Sequence, residues 1–207
     1  MSLQALPMSE LATARLRLRH WRAADTDALA ALSADPEVMQ FMPACLNRSQ
    51  SEAFALRAQG DLTQRGFGLW AVEVRAQAPF IGYVGLSPVS FAAPFTPAVE
   101  IAWRLGRASW GCGYATEAAR EVLRFAFEDL GLHEIVAFTV PANVRSRALM
   151  QRLGLRYDVH GDFEHPRLPA GHALRSHLLY RLTSGAWTAS RPLSGLGGVA
   201  RTNCGIS

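Results

Sequence analysis

The alternation of apolar and polar side chains in Leu16-Arg-Leu-Arg-His20 has a period of two, the mark of a half-buried strand. A helix should follow, with Asp25 placed to cap it and Leu29 and Leu32 on one face. Ser49-Gln-Ser-Glu52 has capping-box spacing and predicts a second helix towards Gln64, stopped at Gly66-Phe-Gly68. Three strand-like runs come next: Leu69–Val74, Ile81–Leu86 and Val99–Leu105. Short Pro- or Gly-bearing connectors between them predict antiparallel neighbours. After Trp110-Gly-Cys-Gly113 the period becomes helical, with Ala118, Val122, Phe125 and Ala126 in phase until about Leu130, and Gly131 ends the run. Glu134–Val140 reads as a buried strand and Asn143–Leu153 as a helix closed by Gly154. Two more strands are expected around Tyr157 and from His177 to Leu182.

This order fits neither strict β-α alternation nor an all-β chain. It predicts an α+β fold, a mixed and largely antiparallel sheet with helices on both faces. No internal repeat is visible. Residues 1–187 are expected to form a single domain, and 188–207 a loosely ordered tail rich in Gly and Ser.

Composition narrows the function. Of 207 residues, 49% are hydrophobic and 18% charged, which suits a globular protein and not a disordered one. The net charge of +4 favours anionic ligands. With no basic run and no basic stripe interleaved with aromatics, direct nucleic-acid binding is not expected. Cys45, Cys112 and Cys204 are odd in number and far apart, so a disulfide framework is not expected and a reducing, cytoplasmic setting is. The N-terminus lacks signal-peptide character, and no window has the roughly 18 apolar residues of a membrane span.

The most informative stretch is Val99–Ala119: a strand, a short loop with two glycines, then a long helix. A helix N-terminus offers unpaired N–H groups and a positive dipole end, and glycines let a ligand approach the backbone. Together they make a phosphate cradle, to which Thr116 adds a hydroxyl. Alternatively, Gly111 and Gly113 simply make a tight turn. A dinucleotide fold fits poorly: Thr116 stands where the third glycine belongs, and Glu134 begins the next strand where an acidic residue should end it.

Trp110-Gly-Cys-Gly-Tyr-Ala-Thr-Glu-Ala118 resembles the acyl-CoA-binding signature of the GNAT acetyltransferase superfamily. That signature most resembles the branch containing the ribosomal-protein N-terminal alanine and serine acetyltransferases, and Asn143-Val-Arg-Ser-Arg-Ala-Leu-Met-Gln-Arg-Leu-Gly-Leu155 resembles the family's N-x-x-S…L-G-[FL] helix. The two lie in the expected order on either side of a strand, and the element order is similar up to about Leu182. Many members carry Gln or Arg where this chain has Trp110, a position whose side chain a backbone cradle does not need.

The resemblance implies an N-acetyltransferase that uses acetyl-CoA as co-substrate, without metal, and transfers acetyl directly to an amine. It implies a sheet splayed between the strand ending at Leu105 and the strand Ile135–Val140, with the pantetheine arm in the split. Trp110, Gly111, Cys112, Gly113, Tyr114, Ala115 and Thr116 would hold the phosphates. Backbone N–H groups of Trp103, Arg104 and Leu105 would polarise the thioester carbonyl, and Asn143 would contact pantetheine. A homodimer would match similar proteins. The acceptor is left open between a protein N-terminus, ribosomal or other, and a small-molecule amine. A non-catalytic acyl-CoA-binding sensor is the alternative.

Amine attack on a thioester benefits from a base near the operating pH. Glu100 is the first candidate for that base; equally, it could be a strand-face carboxylate paired with an Arg. Ser146 could hydrogen-bond the CoA sulfur or relay a proton, or help cap the helix that Asn143 starts. Cys112 occupies a variable cradle position, which argues against a covalent acetyl-cysteine. His160, His165, His172 and His177 have spacings too long for a typical metal site. Asp162, Glu164 and His165 would shape the acceptor pocket, the two acids suiting a cationic amine. Of the helix residues Arg145, Arg147 and Arg152, some would face the CoA phosphates.

Overall fold

A computed structural model describes residues 10–190, without the side chain of Ser190. The chain forms β1 (Leu11–Ala12), β2 (Leu16–Arg19), α1 (Thr26–Ala34), α2 (Arg48–Arg65), β3 (Leu69–Val74), β4 (Ala78–Pro88) and β5 (Val99–Leu105). It continues with α3 (Tyr114–Arg124), β6 (Glu134–Thr139), α4 (Val144–Arg152), β7 (Arg156–Tyr157), β8 (Phe163–Glu164), β9 (Ser176–Thr183) and α5 (Ser184–Ser190). α3 runs directly into a π-helical turn, Phe125–Asp129. The expected loose tail begins inside α5, and its residues 191–207, with Cys204, lie outside the described residues. Cys45 and Cys112 are free and exposed.

The sheet order is β1-β2-β3-β4-β5-β6-β9-β7, with β8 on β9. Every pairing is antiparallel except β5 with β6. β4 and β5 pair continuously from Gly82↔Leu105 to Pro88↔Val99, whereas β5 and β6 pair only at Glu100↔Val136. Beyond that point the sheet opens, and the C-terminal half of β5 presents an unpaired edge. This is the splay that the two signatures implied.

Strand alternation assigns the two faces. Ile101 and Leu105 on β5, with Val84 and Leu86 on β4, pack into the main core with Ala118, Ala119, Val122 and Leu123 of α3. The opposite face carries Tyr83, whose ring lies 4.9 Å from Phe54 of α2 and 6.0 Å from Trp21. Helices therefore cover both faces, as the element order predicted.

Two capping expectations are corrected. Asp25 precedes α1 but accepts no capping bond from it; its carboxylate instead accepts from Arg22 N at 2.8 Å, closing the 3-10 turn Ala23–Asp25, and from Arg19. The capping box of α2 is formed by Asn47 and Gln50, two residues earlier than expected: Gln50 N donates to Asn47 Oδ1 and Asn47 N donates to Gln50 Oε1, both at 2.9 Å. Glu52 instead pairs with Arg48 one turn back.

Asp25 serves a buried ion cluster. Arg19 is fully buried; its two terminal nitrogens donate to the two Asp25 oxygens at 2.8 Å and its Nε to Glu73 at 2.9 Å. It also donates to the carbonyls of His20 and Pro79. The cluster ties β2, β3 and the start of β4 to the turn before α1. Removing one partner of such a pair leaves a buried charge uncompensated, so Asp25→Ala should cost about 3 kcal/mol or more of unfolding free energy. Urea denaturation checks this; a loss below about 1 kcal/mol, the range of an exposed pair, would contradict the burial argument.

Candidate active site

The splay opens into one cleft of about 1940 Å³ that spans both sides of β5. Its first wall is the loop between β5 and α3. Gly111 and Gly113 have φ of 75° and 80°, a conformation that L side chains adopt rarely, and Gly113 is the N-cap of α3. The helical ladder of α3 begins with Glu117 N donating to Gly113 O at 3.0 Å. The amides before it, from Gly111 to Thr116, have no helical partner. An added Cβ would meet nothing within 4 Å at Gly111, so the bare backbone faces open space.

This loop is braced by residues the sequence reading missed. Arg15 donates from Nε to Glu117 at 2.7 Å and from a terminal nitrogen to the Cys112 carbonyl at 3.0 Å, and its guanidinium lies 4.7 Å from the Tyr114 ring centroid. Thr13 Oγ1 donates to the same Glu117 carboxylate at 2.6 Å. Burial works to raise the Glu117 carboxyl pKa, but the bonds from Thr13 and Arg15 prevail and hold it below its ordinary value. Trp110 also has a definite role: its indole N–H donates to the Leu105 carbonyl at 2.8 Å, and Arg145 of α4 lies 4.3 Å over its ring. Contacts so distant in sequence leave no local periodic signal.

Basic side chains ring the cradle. Arg15, Arg120, Arg145 and Arg152 all line the cleft, with Arg152 within 3.3 Å of the Thr116 hydroxyl. Arg147 points elsewhere, to the Pro141 carbonyl and the Tyr180 hydroxyl. Trp103, Arg104, Leu105, Trp110, Gly111, Gly113, Tyr114, Ala115, Thr116, Asn143 and Ser146 all border the cleft. Cys112 does not; its thiol turns towards the Trp110 carbonyl.

Opposite the cradle, Asn143 caps α4 by accepting from Ser146 N at 3.2 Å and donates to Thr139 Oγ1 at 3.0 Å. The cap fixes the half-buried Ser146 at the cleft wall.

Glu100 lies at the apex, on the last residue pair before the strands part. Its side chain faces away from the α3 core and makes no hydrogen bond with the described residues. Removal from water raises its pKa to about 7, partly offset by the Arg167 charge. Phe91, Phe138, His165 and His177 line the same cleft. The rings of His165 and Phe91 are 4.6 Å apart, and those of His165 and His177 5.2 Å. Burial lowers the pKa of both histidines, favouring neutral rings.

Of the residues expected to shape the acceptor pocket, only His165 borders the cleft. Asp162 is exposed and accepts from the Tyr157 hydroxyl at 2.6 Å, while Glu164 pairs with Arg175 at 2.9 Å. Both acids are exposed and neither lines the cleft. Among the described residues, no group of three or more His, Cys, Asp or Glu could hold a metal ion, and no helix is long and apolar enough to cross a membrane.

A sheet split beside a glycine-capped, arginine-ringed helix N-terminus is the architecture of an acyl-CoA-dependent acyltransferase. The model of the acetyltransferase (GNAT) domain matches residues 15–156, and the chain belongs to that family. It is 33% identical over 199 residues to a protein of Aspergillus fumigatus named FsC-acetyl coenzyme A-N(2)-transacetylase, covering 90% of this chain and 80% of that one. A crystal structure of an acetyltransferase from Agrobacterium tumefaciens is similar, with TM-score 0.67, 25% identity, and 88% and 98% of the two chains covered. Mycobacterium smegmatis RimJ in complex with CoA-disulfide shares the fold, with TM-score 0.68 at 20% identity over 88% of this chain and 95% of that one. The protein is an acetyl-CoA-dependent N-acetyltransferase.

Proposed function

We propose that the chain transfers acetyl directly from acetyl-CoA to a primary amine, with Glu100 as the base and without a covalent acetyl-enzyme. The observation that carries this reading is the position of Glu100. It is the carboxylate at the fork of the splay, it has no ion-pair bond with the described residues, and its pKa of about 7 is matched to deprotonating an ammonium near neutrality.

The rest of the cleft suits the co-substrate. Loop amides from Gly111 to Thr116 receive the pyrophosphate, with Arg120, Arg145 and Arg152 close enough to balance its charge. Asn143 and the free edge of β5 offer partners to the pantetheine amides, and backbone N–H groups of Trp103 to Leu105 are placed to polarise the thioester carbonyl. The amine nitrogen attacks that carbonyl carbon, the C–S bond breaks, and the CoA thiolate leaves. Ser146 donates a hydrogen bond to the leaving sulfur. Glu100 takes the proton from the amine, directly or through water. Cys112 takes no part, since it lies outside the cleft lining and its thiol has no base as hydrogen-bond partner among the described residues.

The acceptor enters from the α1–α2 side, past Val38, Phe41 and Met42. The similar Aspergillus fumigatus protein is named an FsC-acetyl coenzyme A-N(2)-transacetylase, and a Vibrio cholerae structure that shares the fold is described as a ribosomal-protein-serine acetyltransferase, so both a small-molecule amine and a protein N-terminus stay in the screen. The test is calorimetric titration with acetyl-CoA, with NAD and ATP as controls, followed by a thiol-release screen over amino acids, polyamines and N-terminal peptides. Micromolar binding of acetyl-CoA alone and CoA release with at least one amine are expected. Release that proceeds with acetyl trapped on protein in the absence of amine would overturn direct transfer.

A further inference from the structure

Resting on the direct-transfer reading, we infer that the acceptor carries a carboxylate besides its amine, and that Arg104 is the residue that selects it. On β5, Glu100, Ala102 and Arg104 point to one face, opposite the α3 core. Their β4 partners on that face are Ser87, Gly85 and Tyr83. The small, half-buried Ala102 lines the cleft between Glu100 and Arg104, leaving a trough with a carboxylate at one end and a guanidinium at the other. The two Cα atoms are about 13 Å apart by strand rise.

Arg104, Arg120 and Arg145 line the cleft without a hydrogen bond or ion pair to the described residues, and of the three Arg104 is half-buried while the other two are exposed. Arg15 is bound to Glu117, Arg124 to Glu121 and Asp129, and Arg167 to Ser90. Arg104 has no hydrogen bond and no acidic partner among the described residues. It is half-buried and held only by the Tyr83 ring, 5.3 Å away. The phenol of Tyr83 is raised by burial, lowered by the Arg104 charge and raised by Glu100, so both ends of the trough act on the same hydroxyl. A half-buried guanidinium with open donors is completed by an anion, and its planar fork fits a carboxylate in two parallel bonds. The same cleft is lined by apolar Phe41, Met42, Phe91 and Phe138, which suits an acceptor with an apolar stem.

The test uses wild-type protein and Arg104→Gln, each saturated with CoA. Both are titrated with 3-phenylpropionate and with 3-phenylpropanamide, which differ in the carboxylate alone. Wild type should bind the carboxylate at least tenfold tighter than the amide, and Arg104→Gln should bind both alike. Acetyl-CoA affinity should be the same in both proteins, because the substitution keeps the backbone amide. Equal binding of acid and amide by wild type, or no binding of either, would overturn the inference. So would a weakened acetyl-CoA affinity in Arg104→Gln, which would assign the side chain to the co-substrate. Acetyl transfer to phenylalanine and to phenylalanine carboxamide is measured alongside. A carboxylate preference without CoA release from any amine would sink the transfer reading and leave the anion subsite standing.

Discussion

Glu100→Gln should lower kcat for acetyl transfer by about 10²- to 10⁴-fold, the range that a positioned base supplies. Gln fills the same space, so the fold and the acetyl-CoA affinity should survive. The carboxyl can accept a proton only when ionised, and its pKa is raised to about 7. In the wild type, activity should therefore fall as pH drops below about 7, an acid limb that Glu100→Gln should lack. The same shift affects stability with a definite sign. The folded pKa exceeds the ordinary carboxylate value, so the native state holds the proton more tightly, and stability decreases as pH rises through the window from 4.5 to about 7. Glu100→Gln should accordingly melt higher than wild type at pH 8 and show little gain at pH 4. A variant that retained full turnover would remove Glu100 from the chemistry.

Gly113→Val should weaken acetyl-CoA binding about 10- to 100-fold. The residue is the N-cap of α3 with φ of 80°, and a β-branched side chain in that region costs of order 1–3 kcal/mol. Its Cβ would also lie 3.4 Å from a terminal nitrogen of Arg15, the side chain that braces the loop. The loop can relieve the strain only by turning its amides away from the cleft. Calorimetry with acetyl-CoA reads the loss directly, and unchanged affinity would mean that the phosphates bind elsewhere.

Much of this was legible in the sequence because its causes are local. A glycine at positive φ, a cap such as Asn143, and the alternation along Val99–Leu105 each depend on a few neighbouring residues. The two signatures then fixed the order of strand, cradle, strand and helix. Glu100 and Ser146 both reach the cleft wall for that reason.

What escaped depended on distant contacts. Arg15 and Thr13 brace Glu117 from about 100 positions away, and nothing in Thr13-Ala-Arg15 signals it. Asp25 looked like a cap because the alternative use of its carboxylate, on Arg19, needs β2 folded back against the turn. Asp162 and Glu164 looked like acceptor ligands by their charge. In the structure they pair with Tyr157 and Arg175 and do not line the cleft. Strands of two residues, such as β1 and β8, are too short to show a period at all.

A crystal structure of the protein with acetyl-CoA tests the central claim most directly. The account predicts the pyrophosphate on the amides of Gly111 to Thr116, pantetheine along the open edge of β5, and the thioester carbon where a bound amine could reach Glu100 directly or through one water. Acetyl-CoA bound outside the splay, or a thioester on the α3 side of β5 away from Glu100, would contradict it.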